Sequence, residues 1–138
     1  MLRRNQKVEL LRKVPLFERC SKRELAEIAS LADEIDLREG KVLIREGRRG
    51  QEFFVLLDGA VDVTKADQRI NQLGPGDFFG EIALIAPSMV RTATVTASTD
   101  VEALVVTAQN FRGLLRRSPE IKLKVLEAAA ERLGPAGV

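Results

Sequence analysis

Histidine is absent from the 138 residues, as are tryptophan and tyrosine, and there is a single cysteine, Cys20. Each absence removes a class of chemistry. Without histidine there is no Ser-His-Asp or Cys-His nucleophile pair, no histidine-ligated metal, and no side chain that ordinarily titrates near neutrality. A lone cysteine excludes an intramolecular disulfide framework and a zinc site built on cysteine pairs, and it fits a reducing, cytoplasmic compartment. Catalysis would have to run on carboxylates, lysines or hydroxyls. No apolar run is longer than a handful of residues, too short for a membrane span. The charged start, Met1 to Lys7, is followed by no apolar stretch and does not read as a secretory signal.

What is present is ordinary in amount and uneven in arrangement. Apolar residues make up 45% and charged residues 30%, the balance of a globular protein, and the length predicts one domain over 1–138. The net charge of +2 conceals three blocks: +6 over residues 1–23, −7 over 24–107 and +3 over 108–138. An acidic middle argues against nucleic acid as a direct partner of the core. The basic start, Leu2 to Lys13, reads as a solvated helix face or a contact for an anionic surface.

Apolar spacing at Val8, Leu10, Leu11 and Val14 predicts a helix that Pro15 stops, and Ser21-Lys-Arg-Glu24 matches a capping box opening a second helix. From about Ala32 the texture changes. Seven of the ten glycines fall between Gly40 and Gly80 and separate short β-type runs, which predicts an antiparallel β-roll of seven or eight strands over about 32–107. The strand candidates are Ile35–Leu37, Val42–Glu46, Glu52–Leu57, Ala60–Thr64, Ile70–Leu73, Thr92–Thr96 and Val101–Val106. Helical spacing then returns at Phe111, Leu114 and Leu115, and Ser118-Pro119-Glu120 caps a last helix that Gly134-Pro135 ends. The fold class expected is mainly β, a jelly-roll-like β-roll with helices before it (about 3–31) and after it (about 108–133).

The stretch from Gly74 to Val95 carries the chemistry. Between Ile70 and Phe111, Arg91 is the only cation, set in apolar and acidic surroundings. An isolated guanidinium there is paired with a carboxylate, Glu81 or Asp77 being the candidates, or it awaits an anion. Gly80-Glu81 precedes Ile82-Ala-Leu-Ile85, one short helical turn whose first N–H groups lack intrahelical partners and so form a cradle for negative charge. Glu81 would repel a phosphate, yet it could accept a hydrogen bond from a hydroxyl one sugar's width away. An anion and a hydroxyl on one ligand describe a nucleotide.

Phe79-Gly-Glu-Ile-Ala-Leu84, followed ten residues after the glutamate by Arg91-Thr-Ala-Thr-Val, resembles the phosphate-binding cassette of cyclic nucleotide-binding domains. The catabolite activator protein, the protein kinase A regulatory subunit and cyclic-nucleotide-gated channels carry such domains. Gly47, Gly59, the run Phe53 to Val63 and the lead-in Leu73-Gly-Pro-Gly-Asp-Phe-Phe resemble the same family, over about residues 8–133. The resemblance implies that Arg91 holds the cyclic phosphate and Glu81 takes the ribose 2′-hydroxyl. It implies backbone amides from Gly80, Ile82 and Ala83, Thr92 beside phosphate and base, and an apolar floor from Val63 and Leu73, for which plain core packing is an equal reading. It implies cAMP as ligand first and cGMP second, with no other cofactor and no metal. The partners it implies are the nucleotide and an effector domain or protein in cis or trans, with membrane contact only through a fused partner and a homodimer left open.

A lid over the base would come from the last helix, where Leu123, Leu126, Ala130 and Leu133 form an apolar stripe; packing onto the roll is the simpler role for them. Phe111 is the phenylalanine considered as an aromatic lid. Three rivals stand beside this reading. A cupin-like metalloenzyme lacks its histidines, and a transcription factor needs a DNA-reading helix where only five residues follow Leu133. The third is a roll that binds no nucleotide and serves as an interaction domain.

Overall fold

A computed structural model describes residues 2–133, with side chains described up to 131. The chain divides into two compact units, one formed by residues up to 32 together with those from 110 onward, the other by Asp33–Gln109.

The second unit is the β-roll. Its eight strands are β1 (Asp33–Leu37), β2 (Val42–Ile44), β3 (Glu52–Asp58), β4 (Val61–Lys65), β5 (Gln68–Leu73), β6 (Phe78–Phe79), β7 (Thr94–Ala97) and β8 (Val101–Thr107). They form two four-stranded antiparallel sheets, in the orders β1-β8-β3-β6 and β2-β7-β4-β5. Successive strands pass mostly from one sheet to the other, the jelly-roll solution to burying two apolar faces against each other. Alternation sets the core: Phe54, Leu56, Val61, Val95, Ala97, Val101, Ala103 and Val105 point inward from both sheets, and Ile35, Leu37, Leu43, Val63, Leu73 and Phe79 pack against them half-buried. The pairing of β3 with β6 puts Phe54 opposite Phe79, their rings stacked with centroids 5.1 Å apart.

Glycine is required at the tightest corner. Gly59 joins β3 to β4 at φ +86°, and a Cβ there would stand 2.2 Å from the Asp100 carbonyl oxygen. Between β6 and β7 lies one short helix, α3 (Ile82–Ile85), with Glu81 at its N-cap.

In the helical unit, α1 (Arg4–Arg12) stops before a 3-10 turn at Pro15–Phe17, and α2 (Lys22–Ala29) opens on the expected capping box. The Glu24 N–H donates to the Ser21 hydroxyl (3.2 Å), and the Ser21 N–H donates to the Glu24 carboxylate (2.8 Å). After the sheet come α4 (Ala108–Arg117) and α5 (Pro119–Leu133).

The face that α5 buries corrects the sequence reading. Ile121, Val125, Ala128 and Ala129 are buried, whereas Leu123 is 60% exposed, Leu126 45% exposed, and Ala130 exposed. The helix has two apolar stripes at helical spacing, and periodicity alone cannot choose between them. The Leu133 side chain lies outside the described residues. Phe111, considered as a lid, is fully buried, with its ring centroid 5.7 Å from that of Phe17.

Candidate functional site

Arg91 stands just before β7, on a segment tied to the loop between β2 and β3. The Arg91 N–H donates to the Arg48 carbonyl (2.7 Å) and the Gly47 N–H to the Arg91 carbonyl (2.8 Å). Arg49 pairs with Val90 as an isolated antiparallel bridge, and the Gly50 N–H donates to the Met89 carbonyl (3.3 Å). This short ladder fixes the direction in which the arginine leaves the backbone.

The guanidinium then lies between glycines. A Cβ on Gly50 would stand 2.7 Å from both Cζ and Nε of Arg91, and a Cβ on Gly80 would stand 2.9 Å from its Nη1 and 2.8 Å from the Glu52 carbonyl oxygen. Nη1 donates to the Gly80 carbonyl (3.3 Å) and Nη2 to the Glu52 carbonyl. Two main-chain carbonyls thus hold the group, and carbonyl dipoles orient a guanidinium without neutralising it. Burial lowers the Arg91 pKa below its ordinary value, partly offset by the nearby Glu52 charge. The group stays protonated at neutral pH. Such a half-desolvated cation is a ready partner for an anion.

A hollow of about 520 Å³ opens beside it, within the usual range for a small-molecule site. All eight residues singled out in the sequence line it: Val63, Leu73, Gly80, Glu81, Ile82, Ala83, Arg91 and Thr92. Val63 and Leu73 also pack on the core, so both of their readings describe the same position. Oε2 of Glu81 is buried from solvent. Ile82, at the first turn of α3, is 46% exposed, and Met89 and Val90 are 54% and 55% exposed at the rim. The Ala83 N–H, one of the expected donors, is engaged by the Gly80 carbonyl at 3.1 Å.

Gly50, Asn71, Met89 and Val90 line the hollow as well and were not singled out. Gly50 reaches the site through its pairing with Met89, a segment distant in sequence, and Asn71 through its place opposite Val63 in the β4–β5 hairpin. Among the described residues no group of His, Cys, Asp and Glu side chains could hold a metal ion. No described helix is long and apolar enough to cross a membrane.

The family model for the cyclic nucleotide-binding domain matches residues 34–118, which span the sheets, α3 and Arg91. The chain belongs to the cyclic nucleotide-binding domain family. As a member of it, the chain is 37% identical over 126 residues to a cyclic nucleotide-gated potassium channel of Rhizobium etli, covering 91% of this chain and 35% of the channel. The crystal structure of the N-terminal domain of a transcriptional regulator from Streptomyces coelicolor A3(2) superposes with a TM-score of 0.81 at 31% identity, covering 90% of this chain and 91% of that one. The cAMP-bound structure PfPKA-R (141-441) superposes with a TM-score of 0.68 at 25% identity, covering 91% of this chain and 47% of that one. This cyclic nucleotide-binding domain spans about a third of the length of the bacterial channel it matches.

Proposed function

We propose that the chain is a cAMP-binding regulatory module with no catalytic activity of its own, coupling ligand capture to its C-terminal helices and so to an effector in cis or trans. One observation carries the reading: a half-buried arginine held by main-chain carbonyls, and a glutamate at the N-cap of a short helix, line one hollow of nucleotide size. A guanidinium has five N–H donors. The two bonds to Gly80 and Glu52 leave the fork able to grip a cyclic phosphate, with main-chain N–H groups of Gly80, Ile82 and Ala83 closing on its other oxygens. Ala83 would have to exchange its bond to the Gly80 carbonyl for one to phosphate, a small inward movement of the α3 turn. Glu81 accepts from the ribose 2′-hydroxyl, and the base lies over Val63 and Leu73 with Thr92 beside it. The likeness to a cAMP-bound structure supports cAMP as first ligand. The Thr92 hydroxyl supports cGMP as the second.

Thermal unfolding with cAMP, cGMP and 5′-AMP tests the assignment. At a hundredfold excess over its dissociation constant the ligand adds about 2.7 kcal/mol of stability, a shift of several degrees for cAMP and none for 5′-AMP. A larger shift with cGMP would reverse the order of preference. No shift with either cyclic nucleotide would leave a roll that acts only through protein contacts.

A further inference from the structure

The loop joining β2 to β3, Arg45-Glu-Gly-Arg-Arg-Gly50, carries three arginines, and Arg45, Arg48 and Arg49 are all exposed. None of the three is in an ion pair among the described residues. The loop's one acid, Glu46, accepts a hydrogen bond from the Ala66 N–H (3.1 Å). The same loop is laddered onto Met89–Arg91, three residues that line the hollow. Its main chain is thereby held against one side of the hollow, with the three exposed arginines carried on it.

The surroundings give this placement its meaning. Asp33–Gln109 contains thirteen carboxylates against eight lysines and arginines, and half of those cations are Arg45, Arg48, Arg49 and Arg91. A unit of net negative charge repels an anion at a distance. Charges beyond about 10 Å are largely screened at 0.1 M salt, so the cations nearest the entrance, and not the total, decide what an approaching anion meets.

We propose that Arg45, Arg48 and Arg49 form an electrostatic funnel that steers the anionic nucleotide into the hollow and sets its association rate. The proposal rests on the site reading above and adds a kinetic element to it. Rim charges act chiefly on association and its salt dependence, whereas buried contacts act on dissociation. The loop is held through main-chain atoms at Gly47, Arg48 and Gly50, so changing the arginine side chains leaves its ladder in place.

Stopped-flow binding of a cAMP derivative carrying a fluorophore on the adenine 8-position tests this at 20 mM and 500 mM NaCl. Steering contributes about tenfold or more to association at low salt. Arg48→Gln with Arg49→Gln is therefore expected to slow association about tenfold at 20 mM, to converge with the native protein at 500 mM, and to leave dissociation within about twofold. The control Arg38→Gln with Lys41→Gln removes the same charge from two exposed residues on the turn between β1 and β2, which is not laddered onto Met89–Arg91, and it is expected to associate at the native rate. Equal low-salt association by the Arg48/Arg49 variant and the native protein would overturn the funnel alone, as would equal slowing by the control. Failure of the native protein to bind the probe would overturn the site reading, and the funnel with it.

Discussion

A Cβ at position 50 would stand 2.7 Å from the Arg91 guanidinium and 3.0 Å from the Ala83 Cβ, which makes Gly50 a gauge of how much the site depends on that side chain's placement. The arginine is long and can swing away while the buried Ala83 methyl has to give by a few tenths of an ångström, so Gly50→Ala is expected to cost about 1 kcal/mol of stability. Displacement of Arg91, the proposed phosphate partner, should nevertheless weaken cAMP binding about tenfold or more. Chemical denaturation and equilibrium titration on the same sample separate the two effects. Gly80 behaves differently, because its φ is +82° and its added Cβ would press on the Glu52 carbonyl oxygen. Gly80→Ala should therefore lose both binding and about 1–2 kcal/mol of stability. The Gly80-Glu81 step and the Arg91 spacing were legible in the sequence because they are local. Gly50 was not, since its meeting with Arg91 depends on strand pairing that no local pattern encodes.

At the level of elements, turn chemistry and caps explain most of what could be read in advance. The Ser21 box was legible because both partners lie within four residues, and its removal by Ser21→Ala should cost about 1 kcal/mol, measurable by urea denaturation. Strands bounded by glycines and turns were found, while β6 was missed because Phe78–Phe79 is too short to show alternation. The exposed stripe on α5 was misassigned for the opposite reason, an excess of pattern. The β4–β5 hairpin departs from local preference: Ala66 (φ 50°) and Asp67 (φ 65°) both occupy the left-handed region of a two-residue turn between Lys65 and Gln68. Such turns favour Asn-Gly. Ala66→Asn with Asp67→Gly is accordingly expected to stabilise the roll by about 1 kcal/mol, read as a rise in the melting temperature.

For the molecule as a whole, the helical unit carries a charge pair that sets its response to acid. The Glu24 carboxylate, 8% exposed, receives Lys124 Nζ from α5 at 2.6 Å while also serving the α2 cap, and Arg19 pairs with Glu127 and Glu131. Burial alone would raise the Glu24 pKa, but the hydrogen bonds from Lys124 and Ser21 prevail and hold it below its ordinary value near 4.5. A lowered carboxylate pKa means stabilisation that is present above that ordinary value and lost as pH falls through the lower, folded one. Glu24→Gln should flatten the acid limb of a stability profile below about pH 4.5. Burial, with Glu24 adding to it, pushes the Cys20 thiol up to about 11, so alkylation at neutral pH should be slow. The central claim concerns Arg91, and titration calorimetry of cAMP into native protein and Arg91→Ala at pH 7 addresses it most directly. The account predicts a loss of affinity between tens and thousands of fold with the fold retained; equal dissociation constants for the two proteins would contradict it.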